Sequence, residues 1–273
     1  MPIWADPARG PAVRLVADDD MTLLGMFVAP PAVRPTAADL RMVAGTDPAR
    51  FAEIVRRDLP GVRTLTRMQE AAALVDAGAE VVSTAVHMVR PRLQDDPPPL
   101  SWAGPTLAAG IRMTPVDRPV EEIAAAQRLG FPAGHPEHEA TLEAQASGAL
   151  ESLLAGDLMG PVYDDASALL VDADDEIVAC LIVTLWEGIG EEWKGGPWGV
   201  DLFRLPGAGP GLVGRALLAR AVTVAHLDGH GAMGLTVDAG NRARLLYERL
   251  GFRSAFHRVT LDLPGAWPAA SEG

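Results

Sequence analysis

The sequence predicts an α/β chain with a mixed sheet of α+β character, divided into two parts, and three observations carry that. Short runs rich in Val, Ile and Leu alternate with segments whose apolar residues recur every three or four positions, the strand and helix patterns respectively. Gly and Pro punctuate the changes between them. A polar, proline-stiffened stretch, Gln94-Asp95-Asp96-Pro97-Pro98-Pro99, separates an N-terminal segment from the rest. The expected organisation is an α/β domain over 1–93, a Pro-rich linker over 94–106, a larger domain over 107–265 and a tail over 266–273.

In the N-terminal part, Val13–Val16 and Leu23–Val28 read as short strands joined by a turn at Asp18-Asp19-Asp20. Thr36 can cap a helix beginning at Ala37, and Asp47-Pro48 can start another that runs to Arg57. Residues 64–77 carry a helical pattern that Gly78 stops, and Glu80 to Arg90, rich in Val, Ser and Thr, reads as a strand. In the second part, Ile111 to Thr114 is a candidate strand. Pro119 to Gln127 fits a helix with Pro at its start and acids in its first turn. A helix from His138 to Leu154 follows the loop LGFPAGHPEH. Ser167–Val171 and Ile177–Trp186 are strands joined by the acidic turn Asp172-Ala173-Asp174-Asp175. Phe252 to Leu263 is the last strand.

One stretch, 200–252, organises the rest. An apolar run, Val200 to Leu205, ends at Pro206, and the loop Gly207-Ala208-Gly209-Pro210-Gly211 leads into a helix ended by Asp228-Gly229. Met233 to Val237 is a buried strand, and Asn241 opens a further helix that stops at Gly251. A glycine loop entering a helix can accept a phosphate, because the helix head offers free N–H groups and partial positive charge.

The stretch resembles the GNAT-type, acetyl-CoA-dependent N-acetyltransferases. That family has a strand ending in V-x-P, a Q/R-x-x-G-x-G/A loop three residues on, and a later N-x-x-A-x-x-L-Y-x-x-x-G-F segment. Here Pro206 sits eight residues before Gly214, and Gly214-Arg215-Ala216-Leu217-Leu218 matches the start of the family's helix. Asn241, Ala243, Leu246, Tyr247, Gly251 and Phe252 match the second segment, and Tyr247 is one of only two tyrosines. Gly209 stands where the family has Gln or Arg, and Leu212 where it has its first Gly. Arg204 to Gly209 fits the loop pattern literally in an earlier register, but the Pro206-anchored register keeps the family spacing. The resemblance implies a GNAT-type acyltransferase fold over 107–265. The layout of ALVDAGAEVVSTAVHMVRPRL echoes that of LLYERLGFRSAFHRVTLDLP, so the first domain is either a degenerate GNAT half or an unrelated α/β element.

By the same resemblance the co-substrate is acetyl-CoA. The backbone of Leu202, Phe203 and Arg204 would hold its arm, and the loop from Gly209 through Gly211, Leu212, Val213 and Gly214 to Arg215 its pyrophosphate. Asn241 would contact the arm, and Tyr247 would protonate the leaving thiolate. Asp201 is the candidate base and Glu187 the second choice. Strict alternation puts Asp201 on the face opposite Leu202 and Arg204, and the bulge that family strands carry here can change that parity. The expected activity is transfer of an acetyl group to the amine of a small cationic molecule. Transfer from another acyl-CoA, or a silent acyl-CoA-binding module, remains open, as does a homodimer.

His135 and His138 are spaced as a metal pair, but no third ligand stands near them and the family needs no metal. Trp186, Trp193 and Trp198 could wall an acceptor site or pack in a core. The single cysteine, Cys180, sits in an apolar run with no activating neighbour, reads as a small buried hydrophobe, and suits a cytoplasmic protein. A net charge of −13 argues against nucleic acid as a partner. No apolar run is long enough to span a bilayer, and the N-terminus carries no signal-peptide pattern.

Overall fold

The computed structural model describes residues 3–5, 13–28, 36–188, 193–207 and 213–265. In chain order the elements are β1 (Ile3–Ala5), β2 (Val13–Ala17), β3 (Leu23–Val28), β4 (Thr36–Met42), α1 (Pro48–Asp58), β5 (Arg63–Arg67), α2 (Met68–Asp76) and β6 (Glu80–Arg90). They continue with β7 (Arg112–Thr114), α3 (Val120–Gly130), α4 (His138–Ala146), α5 (Ala149–Leu154), β8 (Ala168–Val171), β9 (Ile177–Trp186) and β10 (Gly196–Arg204). The chain closes with α6 (Val213–Leu227), β11 (Met233–Asp238), α7 (Arg244–Arg249) and β12 (Arg253–Asp262).

The chain forms two compact units. One comprises Met1–Ala85 with His257–Gly273, the other Val86–Phe256. These units do not coincide with the expected domains. The change of unit falls inside β6 and inside β12, because each of these strands gives its two ends to different units. The expected linker lies wholly within the second unit, where contacts with residues far along the chain hold it. Leu93 is buried and its N–H donates to the Gly231 carbonyl at 2.8 Å. The Gln94 amide donates to the carbonyls of His226 and His230, and Trp102 lies under the guanidinium groups of Arg90 and Arg215.

In the first unit the strand order is β1-β2-β3-β4-β5-β12, with β4 and β5 parallel and the other neighbours antiparallel. The β2–β3 turn is held as its acids predict: Asp18 Oδ1 accepts from the N–H groups of Asp20 and Thr22. Asp47 caps α1 by accepting from Ala49 N–H at 3.1 Å. Two expectations are corrected. The segment from Thr36 is a strand rather than a helix, since Ala37 and Leu40 are buried and pair beside β5. Residues 63–67 are a strand too, with Thr64 and Thr66 inward, and the helix begins only at Met68. Phe51, Ile54, Leu40 and Leu74 centre the core. Gly25 is required beneath Phe51, whose ring a Cβ would strike at 2.5 Å.

The second unit follows the order β12-β6-β11-β10-β9-β8-β7. Strands β7 to β10 are antiparallel, and β11 lies parallel to β10. Helix α6 covers one face through Leu217, Leu218, Ala221 and Val222. Helices α3 and α5 cover the other through Ile123, Leu150 and Leu153. Such a sheet, buried on both sides, explains the apolar runs Ala168–Val171 of β8 and 177–183 of β9. Asp172 closes the β8–β9 turn by accepting from Asp174 and Glu176 N–H. The helix expected over 138–154 is broken at Gly148, which takes φ +70° between α4 and α5. No helix among the described residues is long and apolar enough to cross a membrane.

Candidate functional site

The site begins with a defect in β10. Gly199 pairs with Val183 and Asp201 with Ile182, so Val200 is an extra residue with no partner in the ladder. Such a bulge bends its strand. The parallel register with β11 consists of Trp198↔Gly234 and Gly199↔Leu235 and stops there, although both strands run on, β10 to Arg204 and β11 to Asp238. The two strands part at the bulge, and two cavities open at the gap.

The first cavity, of about 230 Å³, is bordered by Asp201, Gln127, Glu137, Gln145 and Thr236. The second, of about 470 Å³, is bordered by Leu202, Phe203, Arg204, His135 and Gly214. Asn241, Tyr247, Phe131 and Leu202 border both. Beyond the bulge Asp201 and Phe203 take the face toward α3, while Leu202 packs on the α6 side. Asp201 therefore stays opposite Leu202, as alternation predicts, yet both border the first cavity.

Asp201 is 8% exposed and accepts from the Gln127 amide at 2.6 Å. Burial pushes its carboxyl up to about 7, the charge of Glu137 adds to the rise, and the Gln127 hydrogen bond opposes it. Tyr247 is also buried, and burial, with the charges of Glu137 and Asp201, raises its hydroxyl well above an ordinary tyrosine. Asn241 is held twice: its carbonyl oxygen accepts from Ala243 N–H at 2.9 Å, and its amide donates to Glu137 at 3.3 Å. The same Glu137 oxygen accepts from Asp238 N–H at 3.0 Å, tying the end of β11 to the entry of α4.

The remaining expectations divide. Gly214, at the head of α6, borders the second cavity, and a Cβ built on it meets open space. Val213 and Arg215 flank it in the same turn. Gly209, Gly211 and Leu212 lie outside the described residues. Glu187 is exposed, one residue past the end of β9, and borders neither cavity. Trp186 and Trp193 each pack against Trp198 at 5.0 Å between ring centroids, away from both cavities. His135 Nδ1 accepts from Glu137 N–H, and His138 Nδ1 donates to the Phe131 carbonyl at 2.7 Å. Both rings thus serve the loop between α3 and α4. Among the described residues no group of three His, Cys, Asp or Glu side chains could hold a metal.

Gln127, Glu137 and Gln145 were not among the sequence candidates. Gln127 and Gln145 sit on α3 and α4, and Glu137 immediately precedes α4. Their only sequence signal is a polar residue on the otherwise apolar inner face of α3, where Ile123 and Ala126 are buried with Gln127.

No family model matches the sequence, and no curated protein matches it. Solved structures do match. A GCN5-related N-acetyltransferase from Sphaerobacter thermophilus aligns at 19% identity and a TM-score of 0.59, over 94% of this chain and 82% of that one. A GCN5-related N-acetyltransferase from Kribbella flavida aligns at 18% identity and a TM-score of 0.54, over 90% of this chain and 88% of that one. A tandem GNAT protein from the clavulanic acid biosynthesis pathway aligns at 15% identity and a TM-score of 0.54, over 92% of this chain and 82% of that one. The chain has the GNAT fold, and the alignments cover residues of both units.

Proposed function

We propose that this GNAT-fold chain is an N-acetyltransferase that moves an acetyl group from acetyl-CoA to the amine of a small cationic molecule by direct attack. The observation that carries the reading is the parting of β10 from β11 at Val200. It leaves one cavity beside Asp201 and another beside Gly214, with Tyr247 and Asn241 bordering both. A transfer of this kind needs a channel for the donor, a pocket for the acceptor and a proton-handling group where they meet.

Acetyl-CoA, when bound, supplies the thioester whose carbonyl carbon the amine attacks. The residues fit it. Leu202, Phe203 and Arg204 border the second cavity beyond the point where pairing with β11 ends. Their edge of β10 is the one that would bond its amide-bearing arm. Gly214 leaves open space, so the amides of Val213 to Arg215, with Gly209, Gly211 and Leu212 before them, would receive its pyrophosphate. Asn241 would touch the arm.

Asp201 takes the proton that frees the amine's lone pair. A carboxyl held near 7 is a stronger base than an ordinary carboxylate and is still largely ionised at slightly alkaline pH. As the new C–N bond forms and the C–S bond breaks, Tyr247 donates its hydroxyl proton to the leaving thiolate. Its raised pKa keeps that proton in place at neutral pH. Two acids, Asp201 and Glu137, border the acceptor cavity, which supports a cationic acceptor. The buried, unactivated Cys180 supports direct attack rather than a covalent intermediate, and suits the cytoplasm. The test is a panel of amines incubated with acetyl-CoA and followed by release of free thiol. Release with a cationic amine is expected; no release with any amine, at concentrations where acetyl-CoA binds, overturns the reading.

A further inference from the structure

Asp201 stands at the end of a hydrogen-bonded row that runs from the surface. The exposed Arg128 guanidinium donates to Gln145 Oε1 at 2.8 Å. Gln145 Nε2 donates to Gln127 Oε1 at 2.6 Å and to the Ala124 carbonyl at 3.0 Å. Gln127 Nε2 donates to Asp201 Oδ2 at 2.6 Å.

The sense of this row is imposed. A guanidinium can only donate, so the Gln145 oxygen has to face Arg128. A backbone carbonyl can only accept, so the Gln145 amide has to face Ala124 and, with it, Gln127. Gln127 then presents its oxygen to Gln145 and has only its NH2 left for Asp201. An oxygen that faces an N–H donor cannot itself carry a proton toward that donor. Oδ1 has no hydrogen-bond partner among the described residues, and Asp201 borders the first cavity.

We propose that Gln127 and Gln145, anchored by the Ala124 carbonyl, are positioning residues. They hold Oδ2 of Asp201 as a permanent acceptor and direct the proton that Asp201 takes onto Oδ1, the oxygen left for the cavity. This rests on the reading of Asp201 as the proton acceptor. Bonds between neutral amides in such a row polarise one another, most where the row is buried at Gln127 and Asp201, which adds to the pull on Oδ2. The other charged or titratable groups around Asp201 stand outside the row: Glu137 before α4, Tyr247 on α7 and Cys180 on β9. Glu137 raises the Asp201 carboxyl by its charge, while its own side-chain hydrogen bonds go to Asp238 N–H and the Asn241 amide.

The test reads Asp201 directly, by carboxyl carbon NMR titration of the full chain, with no donor or acceptor present. In Gln145→Met the anchor is gone, Gln127 is free to turn, and its oxygen can accept a proton from the acid form on Oδ2. The Asp201 titration should move up by about half a unit or more. In Arg128→Leu the Ala124 carbonyl still orients Gln145, so the titration should stay within about 0.2 units of the parent. A titration unmoved in Gln145→Met, or moved equally by Arg128→Leu, overturns the relay. Should Gln145→Met fail to fold, the orientation of the amide in Asp201→Asn decides. The relay requires its oxygen on Gln127 and its NH2 toward the cavity, and the reverse overturns it. A shifted Asp201 in a chain that acetylates no amine upholds the relay and removes the transferase reading. Acetylation with an unshifted Asp201 does the opposite.

Discussion

Replacing Asp201 by Asn tests the electrostatics of the site through stability alone. The carboxyl titrates at about 7 in the fold against 3.8 for an ordinary aspartate, with burial as the main cause. A group raised in this way favours the folded state when protonated, and that advantage is lost as pH rises from the unfolded value through the folded one. The gap is roughly 3 units, and each is worth about 1.4 kcal/mol, so a charged Asp201 costs about 4 kcal/mol at pH 9 and almost nothing at pH 4. Asn keeps an oxygen for Gln127 and carries no charge. The variant should therefore match the parent in urea unfolding near pH 4 and exceed it progressively up to pH 9, by a margin approaching that figure. The same variant should lose acceptor kcat/KM, with the acidic limb of its pH–rate profile moved or abolished. A stability difference that is flat across this range would refute the reasoning, since it would mean that Asp201 titrates as it does in the unfolded chain.

Gly214→Glu should abolish acetyl-CoA binding in calorimetric titration, because the side chain enters the open space at the head of α6 with a negative charge; unchanged affinity would move the phosphate site elsewhere. Tyr247→Phe should lower turnover by about 10²- to 10⁴-fold with acetyl-CoA affinity nearly unchanged. Survival within about threefold would leave the hydroxyl a packing feature and water the proton donor. Gly234→Ala should cost about 1–3 kcal/mol in unfolding experiments, because its Cβ would enter the buried indole ring of Trp198 and force that core to shift. A neutral effect would mean that the ring can move aside.

What was legible in the sequence was what neighbouring residues settle among themselves. Asp47-Pro48 starts a helix and Asp172 closes a turn because the partners of each are two to four residues away. The same holds for Asp18 and its turn, and for Asn241, whose side chain bonds Ala243 two residues on. The stretch 200–252 carries a resemblance to the GNAT-type acetyltransferases in such local spacing, and that resemblance implied the fold and the candidates Asp201 and Tyr247. The tertiary structure decided whatever depends on a distant partner. Thr36–Met42 is a strand because β5 lies beside it, against the local capping signal. The segment that leads into the prolines of 94–106 is held by the distant Gly231, His226 and His230. The two units share β6 and β12, and no local pattern in those strands distinguishes one end from the other. Gln127, Glu137 and Gln145 come together around the β10–β11 gap from the α3 and α4 region, 56 to 74 residues before Asp201 in the chain. Only burial of the helix faces on the sheet brings them there, because the apolar packing that fixes a helix on a sheet is non-directional and leaves no mark at the polar position it carries inward.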